Sequence, residues 1–299
     1  MKRSYRLFPL IAAIAFTGLF STTLTAFAQS GAIAATDGLG GRPPKFPPPT
    51  GPTPRTADGH PDFTAYWVDD GHAQPHGNLG KDYPGFKLPF TPAGEAAHQY
   101  NVEHTVDPES LCLPGGLPRE DIGDGSFQLL QAGGSAVFLY GYGTHRLVPI
   151  DGRKHTDDPD PTYFGEGVGS WDGDTLVIDS IAFKDTKTWS DENADPHSDE
   201  LHTLERWTRS DAGHLHLELT VYDPKFYKEP LHYQRSWIAN PKGQTREEAC
   251  TENNIDVTGG HLGFGPGPIR ADGTRGYDHP APFLPPPSKE HPAVTTIPD

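Results

Sequence analysis

The chain is poor in the groups that support thiol, thioether and membrane chemistry. Among its 299 residues the one methionine is the initiator, which excludes thioether ligation of haem or metal once the start is removed. It has two cysteines, Cys112 and Cys250. In an exported chain such a pair is expected as a disulfide rather than as a nucleophile, because an oxidising compartment consumes free thiols. No apolar run is long enough for a bilayer: LFPLIAAIAFTGLF has about 14 residues against the roughly 20 that a span needs. Cations are scarce as well, 24 Lys plus Arg against 40 Asp plus Glu, for a formal charge of −16. A surface this acidic repels phosphate backbones and anionic headgroups, so neither nucleic acid nor membrane is expected as a partner. There is no nucleophile elbow, P-loop or zinc-finger spacing. Gly165, Gly167 and Gly169 precede no helix and so form no dinucleotide loop.

What is present begins with an address. Basic MKRSYR, the apolar run and the small-x-small pattern Ala26-Phe27-Ala28 before Gln29 predict a secretory signal peptide over residues 1–28, hence a periplasmic or secreted protein. The 34 Gly and 32 Pro crowd toward the two ends. Such stretches favour extended or polyproline conformations that bury no core, which predicts an N-terminal arm over 29–56 and a C-terminal arm over 257–299. Residues 57–256 remain, enough for one sizeable domain.

Alternation is the dominant pattern inside that span. HLHLELTVY (214–222) sets Leu215, Leu217, Leu219 and Val221 on one face and His214, His216, Glu218 and Thr220 on the other, the period of a half-buried antiparallel strand. Asp211-Ala212-Gly213 predicts a hairpin to a strand over 201–209, and Trp171-Asp172-Gly173-Asp174 a second hairpin between 166–170 and 175–182. Further strands are expected over 127–131, 136–142, 145–150 and 231–239, with Gly133-Gly134 and Asp151-Gly152 as turns. One helix is expected, from Thr91-Pro92 through Tyr100, with Thr91 as N-cap and Glu95 completing a capping box. The fold class is therefore all-β: an antiparallel, lipocalin-like barrel or strongly curved sheet with extended arms, a two-sheet sandwich being the alternative.

The phrases RTADGHPDFTAYW (55–67), LPFTPAGEAA (88–97), DPESLCLPGGLPR (107–119), GDTLVIDSIAFKDTKTW (173–189), PHSDELHTLERW (196–207), HLELTVYDPKFY (216–227) and CTENN (250–254) resemble those of a widespread family of exported bacterial proteins. The resemblance implies a shared fold and export, extends to the phrases around both cysteines, and implies no activity. Glu166 departs from it, standing in YFGEGVGSW where the similar phrase has histidine.

Chemistry concentrates in FKDTKTWSDENADPHSDELHTLERW (183–207), where acids, two histidines and two tryptophans lie between strand-like segments. On the strand over 201–209, alternation sends Glu205 with Leu201, Thr203 and Trp207 to one face and His202 to the other, so an HxxE metal pair, which needs a helix, is weak here. A buried Glu205 requires a partner, and Arg235, sharing a face with Leu231, Tyr233 and Trp237, is the expected one. His197, Asp199 and His202 are placed where the loop enters the strand, at a barrel mouth suited to proton exchange. The resulting expectation is an enzyme without a bound organic cofactor or metal, doing lyase-, hydratase-, isomerase- or cyclase-type proton transfer on a small apolar, aromatic or terpenoid molecule. His197, His202 and Glu205 exchange protons and Asp199 orients them, with Arg235, Tyr233, Trp189, Trp207, Glu166 and His145 as substrate contacts. A periplasmic binding protein for a hydrophobic ligand is one alternative. A metal-dependent hydrolase or oxygenase using His72, His76, His145, His197 or His202 is the other.

Overall fold

The structure, a computed structural model, describes residues 46–70, 77–105, 107–123, 125–185 and 188–247. The expected leader, the C-terminal arm, His72, His76 and Cys250 lie outside the described residues. Cys112 sits in the left-handed region (φ 57°) at the end of a short 3-10 turn.

Nine strands form one sheet: β1 Ala65–Asp69, β2 Phe127–Ala132, β3 Ser135–Leu139, β4 His145–Pro149, β5 Glu166–Asp172, β6 Thr175–Ile181, β7 His202–Arg209, β8 His214–Tyr222 and β9 Leu231–Ala239. Their order is β4-β3-β2-β1-β9-β8-β7-β6-β5, and every hydrogen-bonded neighbour is antiparallel. The sheet curls into a nearly closed barrel. The outermost strands β4 and β5 meet where the Gly152 N–H donates to the Gly169 carbonyl at 3.0 Å. Glycine at 169 is what permits this approach, since a Cβ there would lie 2.8 Å from Ile150 Cγ2, while Gly167 packs against Val148 beside it. The glycines that could not hold a dinucleotide thus serve the seam of the barrel.

The alternation predicted for β7 and β8 is present residue for residue, with alternate side chains buried along both strands. Two elements were not predicted: β1, whose AYWVD is short and buries only Trp67 fully, and the single-turn helix α2, Arg119–Ile122. The predicted helix is α1, Pro92–His104, one turn longer than expected. Thr91 caps it by accepting from the Gly94 N–H at 3.1 Å. Glu95 lies one residue past the position a capping box requires, because the reciprocal partner must stand three residues after the cap.

The two ends of the barrel differ. The tight hairpins at Gly133-Gly134, Gly173 and Asp211–Gly213 close one end, and the described part of the N-terminal arm lies against it. Ala212 N–H donates to the Gly51 carbonyl at 3.1 Å, Thr53 Oγ1 to the Arg209 carbonyl at 3.0 Å, and Arg55 forms a two-pronged ion pair with Asp174. The last residues of the arm thus find carbonyl and carboxylate partners on the hairpins. The other end, here called the mouth, carries the long connections 70–126, 182–201 and 223–230, with α1 and α2 among them.

Candidate functional site inside the barrel

Register defines what faces the interior. Nearest the mouth, Ser180, Thr203, Val221 and Leu231 align across β6 to β9; below them come Ile178, Glu205, Leu219 and Tyr233, then Leu176, Trp207, Leu217 and Arg235. Large rings occupy the middle. Trp207 stacks on Trp237 at 5.3 Å, and Phe127 meets both edge-on at 5.9 and 5.4 Å.

Charged groups are threaded through this apolar core. Glu205, fully buried, receives Arg146 Nη1 and Nη2 at 2.9 and 2.6 Å and the Trp207 indole N–H at 2.8 Å. Arg146, from β4, also lies over the Phe138 ring, 4.4 Å from its centroid. Asp121, carried in by α2, accepts the Tyr140 hydroxyl on Oδ1 at 2.8 Å, and its Oδ2 lies 3.8 Å from Arg146. That Oδ2 has no hydrogen-bond partner. Burial, and then the neighbouring Glu205 charge, push the Asp121 carboxyl up to about 7. Two acids around one guanidinium thus leave one proton in exchange near neutrality.

Arg235 is not the partner of Glu205. β8 lies between β7 and β9, so Leu219 stands beside Glu205 and the Arg235 guanidinium turns to Asp69 on β1 at 2.9 Å. Its Nε and Nη1 are buried without partners, and so are Tyr233 Oη and Trp237 Nε1 on the same strand face, with Ser180 Oγ and Thr203 Oγ1 nearer the mouth. An unmatched buried polar group costs about 1–3 kcal/mol. Such a concentration on one inner face marks a place that a bound molecule or water completes.

The other sequence-derived candidates fall in separate places. His197 is buried among the mouth connections, its Nε2 2.7 Å from Thr188 Oγ1 and its Nδ1 3.3 Å from the Ser198 carbonyl. Burial pushes it down to about 4, which keeps it neutral, and it braces the loop. Asp199 pairs at the surface with Lys225 at 3.1 Å. His202 points outward, stacks on Tyr222 at 5.2 Å and meets Asp179 at 3.0 Å. Glu166 is also on the outer face, where it and Asp179 hold the two nitrogens of His155 at 3.1 and 2.8 Å. His145 is exposed at the start of β4. Trp189 is buried at the mouth with its indole N–H on Thr105 Oγ1 at 3.2 Å, while Trp207 and Tyr233 are interior. The single constellation of His197, Asp199, His202 and Glu205 is therefore not formed. The loop turns His197 inward before β7 begins, and strand alternation sends His202 and Glu205 to opposite faces. Among the described residues no group of three or more His, Cys, Asp or Glu side chains is arranged so that it could hold a metal ion.

Sequence reasoning missed Asp121, Arg146 and Tyr140. Arg146 alternates on β4 with Val148, a signal that was legible; Asp121, in a short acidic helix, carried none.

An open groove of ≈ 610 Å³ lies at the hairpin end, lined by His60, Gln131, Ile150 and Trp171 among others. Its Trp171 ring is already stacked against both His60 and Phe63, at 4.4 and 5.7 Å. The unmatched polar groups run through the interior from Ser180 and Thr203 near the mouth to Trp237, level with Leu215, and together with the displaced carboxyl they make the interior the stronger site.

A second buried acid pair supports the mouth. Asp191 accepts the Leu79, Asn193 and Asp195 N–H groups at 2.9, 2.8 and 3.2 Å, and Asp195 lies 2.9 Å from His98 on α1. Burial pushes Asp195 up to about 7, and burial together with the Asp195 charge raises Asp191. An unfolded aspartate titrates near 4, so between about pH 4 and 7 the folded chain holds protons that the unfolded chain has released, and stability falls as pH rises. His197 acts in the opposite sense, but only below about 6.5, where the unfolded imidazole takes up a proton. The unfolding free energy is therefore expected to be about 1–3 kcal/mol higher at pH 6 than at pH 8, with a melting temperature several degrees higher. Calorimetry at the two pH values checks this, and equal or inverted melting temperatures refute it.

Comparison with protein-family models, with curated proteins and with solved structures finds no match.

Proposed function

We propose that this is an exported β-barrel enzyme that transfers protons to and from a small, largely apolar molecule held at the mouth-side interior, with Asp121 as the group that exchanges the proton. The observation that carries the reading is Asp121 Oδ2: a wholly buried carboxyl oxygen without a hydrogen-bond partner, next to an acid already held by Arg146. Displacement to about 7 gives Asp121 the protonation balance a general acid or base needs near neutral pH. Tyr140 steadies Oδ1, while Oδ2 faces Arg146 at 3.8 Å beside Glu205, so the proton it exchanges is shared with that acid pair. Glu205 and Arg146 act as positioning residues, because both carboxylate oxygens of Glu205 are held by Arg146 and one also by Trp207. The residues chosen from sequence give way to these; the reaction class does not.

Asp121→Asn is expected to lower activity about 100-fold or more while preserving shape, within the 10²–10⁴-fold range that a general acid or base contributes. A panel of small unsaturated molecules incubated in heavy water tests it, with deuterium incorporation read by mass spectrometry. Wild type equal to buffer across the panel, or a folded Asp121→Asn variant exchanging as fast as wild type, refutes the reading.

A ligand-binding protein without turnover is the second reading. It is favoured by the unmatched groups of Arg235, Tyr233 and Trp237, which serve binding whether or not chemistry follows.

A further inference from the structure

We propose that the inner face of β9 is an anion subsite that takes the carboxylate of a small aromatic or similarly flat apolar acid, with Arg235, Trp237 and Tyr233 as its donors. The identity of that acid as a substrate rests on the proton-transfer reading; its binding does not.

The three residues occupy alternate positions on one strand, so their side chains share a face. All three are almost fully buried, at 2, 1 and 1 % exposure for Arg235, Trp237 and Tyr233. The unmatched atoms of Arg235 and Trp237 are donors with no lone pair to offer, and the Tyr233 hydroxyl can donate as well. Whatever completes them brings acceptors. Arg146 differs sharply, since two of its nitrogens are spent on Glu205, whereas Arg235 gives one nitrogen to Asp69 and keeps Nε and Nη1 unengaged.

The charge and the walls narrow the class. The guanidinium is shared with Asp69, and the nearby Lys81 ammonium, over the Tyr233 ring at 4.7 Å, is paired with Asp82, so the remaining positive charge suits a monoanion better than a dianionic phosphate. The guanidinium lies over the Trp237 ring, 4.8 Å from its centroid, and Trp237 is flanked by Trp207 and Phe127. These rings make the surroundings of the donors apolar, which suits an acid with an apolar body. The span follows from register: Tyr233 is level with Glu205 and two strand spacings away, roughly 10 Å along the sheet. A molecule whose carboxylate reaches β9 while its far end reaches Asp121 therefore has about the length of one aromatic ring with a short side chain.

Isothermal titration of the full chain downstream of residue 28 with sodium cinnamate, and with cinnamyl alcohol as its uncharged counterpart, tests the subsite. Cinnamate is expected to saturate one site, with the alcohol at least ten-fold weaker. Arg235→Gln is expected to lose at least ten-fold in cinnamate affinity and Tyr233→Phe about three-fold or more, while Asp121→Asn retains most of it. If Arg235→Gln does not fold, Tyr233→Phe and Trp237→Phe decide. No saturable binding to the wild type, equal binding of the alcohol, or undiminished affinity in the folded donor variants overturns the subsite and leaves those atoms to water. Donor-dependent cinnamate binding in a protein that catalyses no exchange upholds the subsite and removes the proton-transfer reading; exchange at Asp121 without cinnamate binding does the reverse.

Discussion

Replacing Arg146 by Met is expected to lower the unfolding free energy by about 3–5 kcal/mol, because it strands the fully buried Glu205 carboxylate among aromatic rings with only the Trp207 N–H and a neighbouring acid for company. Asp121 compensates only in part, because its raised carboxyl can supply a proton but not the positive charge of the guanidinium. The companion double variant, Arg146→Met with Glu205→Leu, is expected to recover most of that loss, as replacing both members of a buried pair with apolar groups of similar size is often neutral or stabilising. Urea unfolding of wild type, both single variants and the double closes the cycle. A single-variant loss under about 1 kcal/mol, or a double variant no better than Arg146→Met, shows that the pair is not the electrostatic unit its geometry indicates.

Trp207→Ala is expected to cost about as much, 3–5 kcal/mol, for a different reason. The ring is wholly buried, stacks on Trp237, meets Phe127 and Phe138 at 5.9 and 5.4 Å, and donates to Glu205. Removing it opens a cavity in an interior that the surrounding strands cannot collapse into, and takes away a hydrogen bond to a buried carboxylate. Trp207→Phe keeps much of the volume and is expected to lose about half as much. Denaturant midpoints of the two variants check the order. Equal losses assign the effect to the N–H donor, and a loss below about 1 kcal/mol in Trp207→Ala contradicts the packed-core description.

These expectations depend on features of unequal visibility in the sequence. That Glu205 faces inward beside Trp207 follows from a period of two, a local rule that needs only neighbouring residues. The partner of Glu205 does not follow, because Arg146 stands 59 residues away and reaches it only when the sheet curls and brings β4 across the barrel. Arg235 was the natural choice from alternation alone, and it fails because β8 intervenes. His202 and Asp179 come together by the same long-range logic, on β7 and β6, with His155 brought in from the connection between β4 and β5. His202, placed at the mouth by sequence reasoning, is thereby joined to Asp179 and His155 on the outer wall. His197 shows the reverse case: its residue type suggested a proton shuttle, but burial and its contact with Thr188 make it a neutral brace.

By itself the sequence determined the acidic character of this protein, the all-β class, the hairpins and the inward face of each well-patterned strand, because composition, turn residues and alternation act between near neighbours. Tertiary structure alone decided that the barrel closes through Gly167 and Gly169, that Arg146 rather than Arg235 neutralises Glu205, and that Asp121 is lowered into the core by a single helical turn. It also left the donors of Arg235, Tyr233 and Trp237 buried and unmatched on one wall. Each of these depends on which distant strands share an interior, and the free energy of a buried charge is set by those distant neighbours rather than by the residues beside it in the chain.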